Sequence, residues 1–220
     1  RVVHSGFELA SFRESADSSP ETRLRIREEL GLKAKDLVIG YVANLEPRKG
    51  HHHALEMMRR IVRRHPNAVL LLAGEGSHRS RLETDVQAWG LERHVRLLGY
   101  RSDIARLLRV LDLKVFTSLW EGLPQALVQA AAVGVPIVAF DVDCVREVVK
   151  EGKNGYLVEV GDVDGLTRRV QELLDDPLLR RSMGVEGTAI VDDSWSVEAM
   201  VRNTDAVYEE ALQACSFPSR

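Results

Sequence analysis

The sequence predicts an α/β fold: a doubly wound, mostly parallel, Rossmann-like sheet with extra C-terminal helices. Three observations carry this. Short runs at residues 37–43, 68–73, 95–98, 113–116, 136–140 and 155–159 are apolar at nearly every position, as strands covered on both faces are. Helical patterns stand between most of them, so strand and helix alternate, the signature of a parallel sheet. After residue 159 three helical patterns follow one another with no strand between them.

The totals fit and exclude. A chain of 220 residues with 45% hydrophobic and 29% charged content can bury a core of its own. A net charge of -3 argues against a general nucleic-acid binder, which needs a surplus of Lys and Arg. Two cysteines, Cys144 and Cys215, are too few for a disulfide framework, so a reducing compartment and a cytoplasmic location are expected. No apolar run approaches the ~20 residues of a membrane span, and no signal-peptide pattern is present. Peripheral membrane contact is compatible with both.

In chain order, the opening R-V-V-H-S-G-F has no initial Met and reads as a strand or linker continuing from something upstream. Ser19 and Pro20 form a helix start, Leu24, Ile26 and Leu30 continue it, and Gly31 stops it. The strand at 37–43 leads through N-L-E-P-R-K-G into a helix over 51–65, with Ala54, Leu55, Met58 and Val62 on one face. The strand at 68–73 turns at Gly74-Glu75-Gly76 into a charged amphipathic helix over 77–89 that ends at Gly90. After the strand at 95–98, Ser102 is expected to cap a helix over 103–110. The strand at 113–116 ends in a polar corner carrying Glu121, expected to be exposed. Pro124 then opens a short Ala-rich helix that stops at Gly134. Helices at 162–174, 177–190 and 196–214 should wrap the outside of the sheet. As domains, residues 1–18 read as a lead-in or interdomain linker and 19–195 as the Rossmann-like unit. Residues 196–214 read as a helix packing back on it, and 215–220 as a frayed tail.

Several residues can carry chemistry, each with a plainer alternative. Arg48 and Lys49 precede a helix, where cations meet an anion that the helix N-terminus also favours; a solvated basic loop is the alternative. The Gly74-Glu75-Gly76 turn can hold a phosphate or be a bare turn, since the third glycine of G-x-G-x-x-G is missing. His51, His52 and His53 point about a hundred degrees apart on a helix and cannot chelate one metal together. Asp141 and Asp143 could bind Mg2+ or simply be solvated. Gln125 and Gln129 share a helix face opposite Leu127, Ala130, Ala131 and Gly134, and Glu121 sits just before that helix. A sugar hydroxyl suits the acid, and a diphosphate suits the helix N–H groups.

The stretch Glu121-Gly122-Leu123-Pro124, then Gln129-Ala130 and Gly134-Val135-Pro136-Ile137-Val138, resembles the donor-binding half of family-4, GT-B-fold retaining glycosyltransferases. That family carries E-G-x-P-x-x-x-x-E-A followed by G-x-P-V-V. V-V-H-S-G-F-E-L-A-S-F, V-A-N-L-E-P-R-K-G, L-L-A-G-E-G, V-R-L-L-G-Y, N-G-Y-L-V-E-V-G-D and S-W-S-V-E-A-M follow the family in order, nearly end to end. The resemblance implies one half of a GT-B architecture and transfer of a sugar from a nucleoside-diphosphate donor with retention, without cofactor or metal. It implies that Lys49, with Arg48, binds the diphosphate and Glu121 holds sugar hydroxyls. Gly122, Leu123 and Pro124 would lie near the donor, and Gln129 would face the ribose. The base would lie against Gly74, Glu75 and Gly76 and the loop of Leu98, Gly99, Tyr100 and Arg101. The family's acceptor site, and any membrane contact, would belong to an N-terminal half outside this chain, so this part should bind donor without turnover.

Three positions depart from the family pattern. Asn44 stands where the family usually has Arg, Gln129 replaces the second Glu, and Asp143-Cys144 stands for Gly-Gly. These motivate two alternatives: a degenerate donor domain serving as a nucleotide-binding or regulatory module, and half of a sugar-nucleotide epimerase.

Overall fold

The computed structural model describes residues 3–14 and 19–214. Cys215, the tail at 216–220 and residues 1–2 and 15–18 of the lead-in lie outside the described residues. Six strands form one sheet: β1 (Leu37–Val42), β2 (Ala68–Ala73), β3 (Val95–Gly99), β4 (Leu113–Phe116), β5 (Ile137–Phe140) and β6 (Gly155–Val158). Their order is β3-β2-β1-β4-β5-β6 and every neighbouring pair is parallel. The helices are α1 (Leu9–Glu14), α2 (Pro20–Glu29), α3 (His51–Arg64), α4 (Arg79–Ala88), α5 (Ile104–Leu108), α6 (Gln125–Ala132), α7 (Val145–Val148), α8 (Val163–Asp175), α9 (Pro177–Ile190) and α10 (Val197–Ala214).

Two apolar layers hold the sheet. On one face Val38, Leu71, Phe116 and Ala139 pack with residues of α1, α2, α5, α6 and α7. On the other, Ile39, Tyr41, Leu70, Val115 and Phe140 pack with α3, α4 and α8. Successive strand residues alternate between these layers, which is why both sets had to be apolar. Helix starts follow local chemistry: Ser19 Oγ accepts the Thr22 N–H (3.2 Å), and Asp176 Oδ1 accepts those of Leu178 and Leu179 (2.9 Å each).

Some boundaries differ from expectation. The helix expected over 77–89 begins at Arg79, because the His78 N–H is drawn to the Leu45 carbonyl (2.9 Å). The helix expected over 103–110 is only Ile104–Leu108, and Ser102 is not its cap. Asp103 holds the cap position, but Arg101 takes its carboxylate (2.8 and 2.5 Å). The lead-in contains a helix, α1, and touches the closing segment through a Phe7 to Ser196 bridge and a Gly6 N–H to Met200 Sδ contact of 3.0 Å. Beyond that turn α10 keeps only Ala199 buried.

The order places β1 beside β4, with chain connections leaving to opposite sides. In open α/β sheets a crevice forms at this reversal, outside the carboxyl ends of the two strands.

Candidate functional site

Two loops meet at that reversal, one after β1 and one after β4, and they are laced together. Thr117 Oγ1 donates to the Gly50 carbonyl (2.8 Å), the Leu119 N–H donates to the Arg48 carbonyl (2.8 Å), and the buried Tyr41 hydroxyl donates to the Lys49 carbonyl. Burial pushes that phenol up to about 12, so it stays a donor at neutral pH. Gly50 sits at φ 63, and a Cβ there would stand 2.1 Å from the Thr117 oxygen. Only glycine allows this approach.

The lacing brings Lys49 to Glu121. Lys49 Nζ lies 2.5 Å from Glu121 Oε1, and Arg48 Nη1 lies 3.5 Å from Oε2. Arg48 Nε also binds Glu46 Oε2 at 2.9 Å, and this hydrogen bond holds the Glu46 carboxyl below its usual range. The Glu121 side chain is 9% exposed. The expectation of an exposed acid is therefore corrected: the corner folds back onto two cations 72 and 73 residues earlier in the chain, which compensate the carboxylate's loss of water.

A cleft of about 760 Å³ opens beside this pair. Of the residues expected at a site, Asn44, Lys49, Gly74, Tyr100, Glu121, Leu123 and Gln129 line it together. Arg48 meets Glu121 Oε2 (3.5 Å) without lining the cleft. Gly122 is exposed, and Pro124 is buried at the start of α6. Glu75 turns to Arg79 (2.8 Å), and Gly76 abuts the Leu45 carbonyl. Leu98 packs on the core, and the Gly99 carbonyl accepts the Gly74 N–H (2.8 Å). The Gly74 backbone passes so close to β1 that a Cβ would stand 1.9 Å from the Ala43 oxygen. Its glycine is thus accounted for by strand-to-strand approach, and it also lines the cleft. At the start of α6 the Gln125 N–H bonds to the Leu123 carbonyl (3.0 Å) and the Leu127 N–H to that of Pro124 (2.8 Å), so these N–H groups are committed locally.

Phe12, Arg101, Ser102, Ile104 and Gln125 also line the cleft; sequence reasoning placed Arg101 there and Gln125 on the face of Gln129, and gave Phe12, Ser102 and Ile104 no place in it. Phe12 arrives because α1 packs on α6 and the Arg109 guanidinium donates to its carbonyl (2.7 Å). The i, i+3 spacing of Leu9 and Phe12 was the available signal.

His51 is buried against Tyr41, ring centroids 4.5 Å apart, and burial pushes it down to about 4, so it is neutral. Asp141 is held by Arg146 (2.8 Å). Among the described residues no group of three or more His, Cys, Asp or Glu could hold a metal ion, and no helix is long and apolar enough to cross a membrane.

Residues 22–189 match the family model for glycosyl transferases group 1. The GDP-mannose-dependent monoacylated alpha-(1-6)-phosphatidylinositol monomannoside mannosyltransferase of Corynebacterium glutamicum is 33% identical over 208 residues, 89% of this chain and 52% of that protein. The UDP-Gal:alpha-D-GlcNAc-diphosphoundecaprenol alpha-1,3-galactosyltransferase of Escherichia coli is 29% identical over 181 residues, 81% and 46% of the two chains. Anabaena Alr3699/HepE, solved in complex with UDP and glucose, superposes with a TM-score of 0.87 at 25% identity, covering 95% of this chain and 56% of that one. The chain thus spans about half the length of the curated relatives it matches.

Proposed function

Since the chain belongs to the group 1 glycosyl transferases, we propose that it is the donor-binding half of a GT-B, family-4-type enzyme that transfers a sugar from a nucleoside diphosphate with retention. Residues 19–195 bind the donor, residues 1–18 lead in from an acceptor-binding half, and α10 follows, anchored through Ala199. The observation that carries this is the Lys49–Glu121 pair at the β1/β4 reversal, bordering a cleft of about 760 Å³ that Asn44, Gly74, Tyr100 and Gln129 also line. The Anabaena neighbour's complex with UDP supports a nucleotide ligand.

In this reading Lys49 and Arg48 neutralise the charge that grows on the departing diphosphate. Glu121, freed from Lys49 when the diphosphate arrives, accepts from sugar hydroxyls. Gln129 accepts from the ribose, and the base lies against the Gly74–Gly76 turn and the Leu98–Arg101 loop. No metal is required, because Lys49 and Arg48 carry the stabilisation. The protein acts in the cytoplasm, and any membrane contact belongs to the acceptor half. Alone, this part binds donor without turnover.

A second reading, a nucleotide-binding module without catalysis, is favoured by Asn44. It lines the cleft where the family has a cation, with its amide 3.5 Å from Glu46 Oε1. Calorimetric titration with UDP, GDP and ADP tests the donor site. At least one should bind, and Lys49→Ala should weaken it by about tenfold to a hundredfold while leaving the nucleoside little changed. No binding at millimolar ligand with the fold intact refutes the reading. For catalysis, the chain joined to its acceptor half should consume a nucleotide sugar; binding without consumption selects the module.

A further inference from the structure

At the opposite end of the same strand pair, where β1 and β4 begin, a second cleft of about 540 Å³ opens between α2 and the loop before β1. Arg23, Arg27, Lys35 and Arg180 line it, against Asp36 and Asp112. Four cations facing two carboxylates leave a local charge of +2 in a chain whose total is -3.

The acids are already committed. Asp112 Oδ2 accepts the Val38 N–H (2.7 Å), while its other oxygen meets Arg23 at 3.0 Å and Arg27 stands 3.9 Å away. Asp36 Oδ2 accepts the Lys33 N–H (2.8 Å). One carboxylate therefore serves two guanidinium groups and an amide. Among the described residues the Nε–H of both Arg23 and Arg27 is without an acceptor.

Part of this is fastening. Arg27, 4% exposed, donates to the carbonyls of Val110 (3.2 Å), Lys33 (3.0 Å) and Asp36 (2.5 Å), which ties α2 to the sheet. Arg23 shares in this fastening, meeting Asp112 at 3.0 Å and the Val110 carbonyl at 3.4 Å, so the two cations that exceed it are Lys35 and Arg180. Arg96 and Arg109 elsewhere also donate to carbonyls, but Arg64 is matched to Asp175 (2.7 Å) and Arg106 to Glu29 (2.7 Å). Here Arg180 instead reaches the Leu173 and Leu174 carbonyls, and among the described residues Lys35 has no acidic partner.

We infer that this cleft is an anion site for a soluble phosphoryl dianion, a phosphate monoester or diphosphate, separate from the crevice at the carboxyl end. Guanidinium groups match phosphate oxygens in bidentate geometry, and the volume lies within the range of small-ligand pockets. A dianion balances the local charge. This inference does not depend on the proposed donor site.

The test is an amide-resolved NMR titration of the 15N-labelled chain with pyrophosphate, against sodium chloride at matched ionic strength. Amides of residues 33–37 should shift saturably, and Arg23→Gln should weaken that saturation by about tenfold. Lys35→Gln, at the rim, guards against a variant that fails to fold and should weaken it by about threefold. Shifts confined to residues 44–50 and 117–124, shifts that chloride reproduces, or saturation unchanged in folded variants would each overturn the inference. So would binding only to vesicles containing phosphatidic acid, since the site would then read a lipid surface and not a soluble anion.

Discussion

Replacing Lys114 by Met should stabilise the protein, by an amount that depends on pH. Lys114 stands in the middle of β4, between Gly40 of β1 and Ile137 of β5, and is 0% exposed. Its Nζ has no hydrogen-bond acceptor among the described residues. Burial pushes its pKa down from 10.5 to about 7. The folded state is then neutral, and the unfolded state charged, between pH 7 and pH 10.5. Because the unfolded state binds the extra proton, stability rises with pH across that window. Below pH 7 both states are charged and the full penalty applies; above pH 10.5 both are neutral and none remains. At about 1.4 kcal/mol per pH unit the penalty reaches at most about 5 kcal/mol, a large part of a typical domain's stability. Met keeps the unbranched stem and carries no charge. Urea unfolding of both proteins at pH 6, 9 and 10.5 should show a gain of about 5 kcal/mol that falls to about 2 and then to zero. A gain flat across that range, or a loss, would mean that the ammonium is paired or hydrated inside the fold, and would refute the argument.

Three further outcomes follow from the site. Gly50→Ala should destabilise by more than about 2 kcal/mol and weaken nucleoside diphosphate binding together with it, since the methyl group would meet the Thr117 oxygen; urea midpoints and calorimetry check both. His51, depressed from 6.5 to about 4, holds its stabilising neutral state above pH 6.5 and should cost about 3 kcal/mol as pH falls to 4. His51→Leu should remove that part of the acid sensitivity, and equal losses in both proteins between pH 7 and 4.5 would exclude it. Gln129→Glu should tighten nucleoside binding about fivefold by restoring a charged acceptor, and calorimetry with uridine, guanosine and adenosine reads it.

Most of the fold was legible because each strand is a short apolar run bounded by Gly, Pro or a capping residue. Residues 68–73 and 113–116 begin and end where the runs do. What was not legible depended on partners distant in sequence. Nothing near Glu121 announces that Lys49 and Arg48 will cover it, so a corner acid reads as exposed. Ser102 looks like a cap until Arg101 takes the neighbouring Asp103. Lys114 hides inside an apolar run, where a single cation barely alters the pattern. The cleft's wall is assembled from Phe12, Tyr100 and Gln129, drawn from three separate segments, and only the strand order brings them together.

The Lys49–Glu121 pair also constrains how a donor would enter. Glu46, Arg48, Lys49 and Glu121 sum to zero charge, so a diphosphate meets a neutral loop until a carboxylate is displaced. Breaking a contact of 2.5 Å between side chains 12% and 9% exposed leaves Glu121 needing new donors in a place water barely reaches. The hydroxyls of a transferred sugar would supply them; a nucleoside diphosphate without its sugar would not. On the proposed reading, the diphosphate and the sugar therefore bind as one event: the phosphate takes the lysine, and the sugar takes the acid that the lysine releases. The complete nucleotide sugar should be favoured over the nucleoside diphosphate it leaves behind, which is the direction that product release requires.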